Sequence, residues 1–386
     1  MKKLDPLVLI LFLTLTARAS PQESAGQNEQ TRENPVVIQV DVDLVNFEVF
    51  VENKGKPVTG LKPENFRIEI CKMEKDGKGK DVESCEFQEA AYAEEINRPP
   101  IEAIVLIDTS ASAGPYLNNF TKRAVPELVK NIGRPGDKFS FFEFVQIMNP
   151  LGTIEITTAQ TENDVAREVM RILDPLDAES YGSKIFNSIY LAAKDEQYGL
   201  AKSRRENVFK LIILVTDGFD YSDAPLVEEV KLTYEGTDYE ERIVRLCPEE
   251  KRIYGRIGGC REARKADIIS ALEEEEITLY VVDFSKNMLP PLATFIPVNH
   301  PDNMEEITDA TGGRRILVAN AREAEKAFEK IAESIKRTYI VGFYPSEEFT
   351  ERNRYSRKVE VGRIDKDGEF KKYNYDIYTA ERYVVR

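Results

Sequence analysis

Histidine is nearly absent from this chain of 386 residues, which contains one, His300. Serine-type nucleophilic catalysis needs a base, usually histidine. His300 stands in Val298-Asn299-His300-Pro301, a stretch that reads as a surface loop. No G-x-S-x-G nucleophile elbow occurs. The lysine- and glycine-bearing run 75–81, KDGKGKD, lacks phosphate-loop spacing and reads as a hairpin tip. A basic surplus is also missing, since the formal net charge is −15. That acidity disfavours nonspecific binding to nucleic acid or anionic lipid. Beyond the N-terminus no run is apolar enough to predict a membrane span. Cysteine is scarce, with four residues in two local pairs, Cys71 with Cys85 and Cys247 with Cys260. Neither pair has the close spacing of a zinc knuckle. Two disulfides closing short loops are therefore expected, with zinc held by all four cysteines as the competitor.

Residues 1–19 carry a secretory signal pattern. Lys2 and Lys3 form a positive n-region, Leu7 to Leu15 an apolar core, and Ala17-Arg18-Ala19 a cleavage site. The apolar run is shorter than the ~20 residues of a spanning helix, which disfavours an uncleaved anchor. The expectation is export to the periplasm or the extracellular space. Residues 20–35 are polar and aperiodic, a disordered leader. Residues 36–98 are rich in strand formers, with strands over Val36–Val51 and Phe66–Cys71 and a turn at Asn53–Pro57.

From residue 99 to 338 the pattern becomes strands alternating with helices. Ile101–Ile107 and Val208–Val215 are mostly apolar, as strands buried on both faces are. Helices are predicted over Tyr116–Ile132, where Pro126 must kink the helix or lie near an end, and over Asp164–Leu173, Lys184–Tyr198, Ala263–Glu275, Met304–Ala310 and Ala321–Lys336. Further strands are predicted over Lys138–Val145, Gly152–Thr158, Ile277–Phe284 and Arg315–Ala319. The predicted fold is α/β, a Rossmann-like, mostly parallel sheet with helices on both faces. Residues 339–386 return to strands, at Tyr339–Tyr344, Arg357–Val361 and Glu369–Tyr378. Neither flank alone offers enough strands for an independent sheet. The expectation is one β-sandwich built from 36–98 and 339–386, with the α/β domain inserted.

Asp108, Ser110 and Ser112 directly follow the first apolar strand, and Asp217 ends the second in Val215-Thr216-Asp217-Gly218. In an open α/β sheet, ligands bind beyond the carboxyl ends of strands. The two loops meet if their strands are neighbours. A hard cation suits these oxygen donors, and magnesium usually takes one or two carboxylates and keeps several waters. Two carboxylates with several hydroxyls leave such an ion able to attract an incoming carboxylate. Alone, D-x-S-x-S is weak, because Asp and Ser also cap helix N-termini. Its place after a buried strand, with T-D-G after a second one, makes it more specific.

With those residues in view, the region resembles a von Willebrand factor type A (VWA) domain with its metal-ion-dependent adhesion site. The resemblance implies a Rossmann-like sheet and Mg2+ (or Mn2+ or Ca2+) held by three loops. It further implies a protein ligand that offers a carboxylate to the metal. Asp108, Ser110 and Ser112 match the first loop and Asp217 the third. Ser183, in Tyr181-Gly182-Ser183, stands where the second loop usually supplies a threonine, and Asn187 stands where many relatives carry aspartate. The segments GKPVTGLKPENF, MEEITDATGGR and YIVGFYP are similar to a subgroup of exported bacterial proteins described from acidobacteria. The segment 224–264 departs from the compact pattern of relatives. It reads either as a loop that shapes ligand choice or as a surface insertion.

Other classes are weaker on the residues. A phosphatase using Asp108 as nucleophile wants a second aspartate two residues on, where Ser110 stands. The run Glu273–Glu276 reads as a solvated face, and no acid–base pair is singled out. The expectation is a metal-dependent binding protein, not an enzyme. A metal-dependent hydrolase and a structural envelope module with an idle metal site are the alternatives.

Overall fold

The computed structural model describes residues 44–75, 81–95, 98–145, 148–178, 183–195, 197–203, 205, 208–218, 263–287, 303–346, 349 and 354–384. The signal, the leader, the Cys247–Cys260 pair, His300 and nearly all of the 224–264 segment lie outside them.

The first strand, β1 (Val45–Asn53), has side chains of alternating destiny. Phe47, Val49 and Val51 enter one hydrophobic core. Glu48, Phe50 and Glu52 point the other way, as the period of two requires. Lys54 and Gly55 both have positive φ, 53° and 78°, and the two-residue turn they form pairs β1 with β2 (Lys56–Pro57). Next, β3 (Phe66–Lys75) and β4 (Asp81–Glu89) run antiparallel with Cys71 opposite Cys85, and these two form a disulfide. The four-cysteine zinc alternative loses both of these thiols. A short β5 (Tyr92–Glu95) follows.

The α/β region opens with β6 (Ile101–Asp108), eight residues that are all buried. After it come α1 (Lys122–Ile132), β7 (Lys138–Phe144), β8 (Met148–Glu155), α2 (Glu162–Leu173) and α3 (Ile185–Lys194). The series continues with β9 (Phe209–Thr216), α4 (Lys265–Glu274), β10 (Ile277–Asp283), α5 (Asn303–Ala310), β11 (Arg314–Leu317) and α6 (Ala321–Lys336). The six strands order as β11-β10-β9-β6-β7-β8, parallel except for the edge strand β8. Alternate residues of β6 serve opposite cores. Ile101, Ala103, Val105 and Ile107 pack under α1, α2 and α6. Ile104 and Leu106 pack under α3, α4 and α5. This is the Rossmann-like sheet with helices on both faces that the strand–helix alternation predicts.

Several helix bounds differ from those the periodicity suggests. The helix expected over Tyr116–Ile132 begins earlier, with one α-helical turn at Gly114–Tyr116, and passes through a π-helical turn over Leu117–Thr121 before α1. Pro126 then sits inside α1, buried on the core side. The helix expected over Lys184–Tyr198 stops at Lys194. Asp195 caps the exit instead, its Oδ1 accepting from the backbone N–H groups of Gln197 and Tyr198, each at 2.9 Å.

The last strands are β12 (Tyr339–Phe343), β13 (Arg354–Ile364), β14 (Phe370–Lys372), β15 (Asp376–Tyr378) and β16 (Arg382–Val384). Glu369–Tyr378, expected as one strand, is two in the structure. β14 pairs with β13 in one sheet, while β15 pairs with β1 in the other. Tyr373–Tyr375 is the crossing between sheets, and Tyr373 and Tyr375 pack at the edge of the sandwich core. Both antiparallel sheets mix the flanks: β1 lies between β12 and β15, and β3 lies beside β13. Their inner faces share one core of Phe47, Val49, Ile68, Ile70, Tyr339, Val341, Tyr355 and Val361.

Candidate metal centre

β6 and β9 are adjacent and parallel, with Ile107 opposite Val215. Asp108 and Thr216 therefore end side by side at the carboxyl edge of the sheet. Asp108 Oδ1 accepts hydrogen bonds from the Ser110 backbone N–H at 2.9 Å and from Ser183 Oγ at 2.7 Å. Asp108 Oδ2 accepts from Thr216 Oγ1 at 2.7 Å. Ser110 Oγ and Ser112 Oγ lie 3.2 Å apart. Thr216 spends its hydroxyl hydrogen on Asp108 and accepts from the Gly218 N–H at 3.1 Å. Asp108, Thr109, Ser110, Ser183, Thr216 and Asp217 are each about 1% exposed, whereas Ser112 is exposed. The cluster is thus closed below and open on the Ser112 side.

Backbone contacts hold the first two loops beside each other. The Thr109 N–H donates to the Phe144 carbonyl at 3.1 Å, and the Lys184 N–H donates to the Val145 carbonyl at 2.6 Å. The first and second loops are thereby tied to the end of β7. In the third loop Gly218 has φ 80°, and a Cβ there would lie 2.8 Å from Asp283 Oδ2. Asp283 ends β10 fully buried, accepting from Arg315 Nε at 2.7 Å and from the Ser285 N–H at 2.7 Å. The chain can pass over that carboxylate only without a side chain, and only in a conformation glycine adopts readily.

Burial pushes the Asp108 carboxyl above its usual range, while hydrogen bonds from Thr216, Ser183 and Ser110 pull against that rise. A buried carboxylate so placed favours a compensating positive charge. The donors are all hard oxygens. Neighbouring oxygens of an octahedral Mg2+ shell lie about 3 Å apart. The Ser110–Ser112 and Asp108–Ser183 separations of 3.2 and 2.7 Å bracket that spacing. The donor set therefore fits a small hard divalent cation.

Of the five residues singled out from sequence, Asp108, Ser110, Ser112 and Ser183 fall into one contact network, and Asp217 follows the Thr216 that joins it. Asn187 is engaged elsewhere, its Oδ1 accepting from the Ala263 N–H at 2.9 Å. Sequence reasoning missed Thr216. Its signal was a hydroxyl on the last residue of an otherwise apolar strand. Asp283 and Arg315 were missed as well, because nothing local marks a carboxylate that acts beneath a distant glycine.

A family model for the von Willebrand factor type A domain matches residues 103–311, just over half of the chain. The chain belongs to the von Willebrand factor type A family. The match runs from β6 to the end of α5 and includes all three loops of the site. Many VWA domains bind partners through a metal-ion-dependent adhesion site. Among solved structures, the chain is similar to a von Willebrand factor type A protein from Catenulispora acidiphila. The identity there is 11%, covering 90% of this chain and 75% of that one, with a TM-score of 0.40. It is also similar to the conserved hypothetical protein BatB from Bacteroides thetaiotaomicron, at 17% identity, covering 61% and 99%, with a TM-score of 0.37. A third is proximal thread matrix protein 1 from the mussel byssus, described with a zinc occupied MIDAS motif. That pair shares 12% identity over 64% of this chain and 48% of that one, with a TM-score of 0.41. A search of the curated proteins finds no match.

Proposed function

We propose that this VWA protein is an exported, metal-dependent binding protein. Asp108, Ser110, Ser112, Ser183 and Asp217 would hold a divalent cation, magnesium foremost. The ligand is a carboxylate-bearing protein that docks over Ser112. The observation that carries the reading is the Asp108-centred network. Donors from three loops converge on one buried carboxylate, and the cluster opens to solvent on one side. When bound, the cation supplies an open coordination position for the partner's carboxylate. The chain's own part is to fix the donors. Asp108 is pinned at both oxygens, Thr216 locks the third loop through Gly218, and Asp283 sets that loop's path.

A hydrolase reading has less support. The one carboxylate suited to attack, Asp108, is engaged at both oxygens and buried away from the open rim. Export is supported by the signal pattern of residues 1–19 and by the Cys71–Cys85 disulfide, a bond that persists in oxidising compartments. Among the described residues no helix is long and apolar enough to cross a membrane.

The test immobilises the mature chain and its Asp108→Ala variant and exposes each to envelope and extracellular extracts in Mg2+ or in EDTA. Titration calorimetry with Mg2+ and Mn2+ runs in parallel. Partners retained by the wild type in Mg2+ alone, and cation heats that vanish in the variant, are expected. Partners indifferent to both EDTA and the mutation refute the adhesion reading. Cation binding with no metal-dependent partner favours the structural module with an idle site.

A further inference from the structure

On the outward face of β1, Phe50 and Glu52 are buried. Glu52 Oε2 meets Arg314 Nη1 of β11 at 3.2 Å, and the Arg314 guanidinium lies over the rings of Phe50 and Tyr378 at 5.1 and 3.9 Å. The sandwich is thereby clamped to the α/β domain at one end of β1. Toward the other end of β1 the two parts stand off and leave a half-open cavity of about 740 Å³. Its walls are the outer face of β1, the amino ends of β9 and β10, and the turn after α4. That is the edge of the sheet opposite the Asp108 cluster. Phe50, Phe209, Ile277, Tyr280 and Ile340 supply apolar surface.

The charges on the walls are not equivalent. Lys210 Nζ is committed to the Glu275 carbonyl at 3.2 Å and to its carboxylate at 3.7 Å, and Glu275 also takes Lys194 at 2.6 Å. Arg382 faces Glu273 at 3.9 Å. Arg357 donates to the Ala380 carbonyl at 2.8 Å and stacks on Phe47. The cationic groups are thus engaged within the protein. Two carboxylates, Glu48 and Glu276, have no hydrogen-bond or ion-pair partner among the described residues. Glu48 projects from the middle of β1, half-buried, and lines the cavity. Burial, and then the neighbouring Glu276, push its carboxyl up to about 8, against a smaller opposing pull from Arg357. Tyr280, which faces it from β10, feels the Glu48 charge and has its own phenol pushed up by burial. A buried acid with nothing to pair with is costly when ionised.

We infer that this junction cavity is a second binding site, which takes a small amphipathic cation: an apolar or aromatic body bearing an ammonium group that pairs with Glu48 and Glu276. Among the described residues an anion finds no uncommitted cationic group there, and a purely apolar guest leaves both carboxylates unanswered. Pairing an ammonium with Glu48 restores its ionised form, so binding near neutral pH releases a proton. The charged groups that act on this titration are Glu276 after α4 and Arg357 of β13; neutral Tyr280 of β10 also lines the cavity.

The probes are 2-phenylethylamine, its neutral isostere 2-phenylethanol, and 3-phenylpropionate. Methyl NMR of the full mature chain reads the site through Ile277 and Ile340, and calorimetry in buffers of differing ionisation heat reads the proton. Saturable shifts at those methyls with the amine are expected, together with proton release at pH 7. The alcohol and the Glu48→Gln variant should each weaken binding by about tenfold or more, as loss of a charge-assisted contact does. Asp108→Ala should leave amine binding intact, which separates this site from the candidate metal centre. If Glu48→Gln misfolds, Glu276→Gln, at an exposed position, takes its place and should weaken the amine while sparing the alcohol. Equal binding of amine and alcohol, a preference for the carboxylate probe, unweakened binding in the folded variant, or no saturable amine binding at millimolar concentration overturns the inference.

Discussion

Glu48 also makes a prediction about stability that needs no ligand. Its carboxyl is raised from 4.5 to about 8 in the folded chain, first by burial and then by Glu276. A raised acid is held neutral by the fold. Below the unfolded value the group costs the folded state nothing. As pH climbs from 4.5 through 8 the unfolded chain ionises more readily, and stability is progressively lost. At about 1.4 kcal/mol per pKa unit, the loss approaches an upper bound of roughly 5 kcal/mol above pH 8. At pH 7 it is on the order of 3 kcal/mol. The carboxyl looks into a cavity that admits water, which screens the charge, so about half these values is the expected effect. Glu48→Gln keeps the shape of the protonated acid and removes its titration. Urea unfolding followed by circular dichroism at steps from pH 5 to 8.5, with EDTA throughout, measures the difference between wild type and variant. The general repulsion of an acidic chain is common to both and cancels. The variant should gain on the wild type by about 2 kcal/mol or more between pH 5 and 8.5. Parallel profiles, or a wild type that gains on the variant as pH rises, refute the reasoning.

Other perturbations address the site and its frame. Gly218→Ala places a methyl 2.8 Å from Asp283 Oδ2 in a backbone region that L-residues rarely adopt. A cost of about 1–3 kcal/mol in urea unfolding and weaker Mg2+ binding by calorimetry are expected. Gly218→Asn, which tolerates the backbone but still carries a Cβ, should be little better. Ser183→Ala removes one of the hydrogen bonds that pin Asp108 Oδ1, at 2.7 Å. Cation affinity should fall several-fold in a Mg2+ titration while the near-UV spectrum stays native, and Ser183→Thr should retain binding. Asp137→Ala strips the buried Arg98 of its carboxylate partner and frees the Ile101 N–H, now held at 2.7 Å. A loss of about 3–5 kcal/mol in urea unfolding is expected, as for other buried pairs broken on one side.

Much of the α/β part was legible locally. Ile101–Ile107 and Val208–Val215 are apolar because both faces of those strands are covered, and they prove to be the adjacent central strands β6 and β9. Thr161 and Asp164 mark the start of α2 through a reciprocal capping box. The tail was legible only as strand-like. Glu369–Tyr378 has one continuous alternating pattern, yet its halves join different sheets. Propensity measures how a residue suits a pleated surface and says nothing of which surface it meets. The glutamates at the end of α4 were misjudged for a related reason. Read as a solvated face, Glu273 is instead buried at the junction, and Glu276 is the exposed residue that borders the cavity.

Sequence alone determined the chemistry on offer at the carboxyl edge of the sheet: a D-x-S-x-S loop after one buried strand and T-D-G after another. Those elements follow from short-range patterning, which the chain encodes residue by residue. Tertiary structure decided what the loops do together. Asp108 and Thr216 lie 108 positions apart along the chain and meet at 2.7 Å only because β6 and β9 pair in parallel. The same holds for Asp283 beneath Gly218 and for Glu48 facing Glu276 across the junction. Burial and proximity between distant segments set the charge state of a carboxylate and the room left beside it, and no local window contains either.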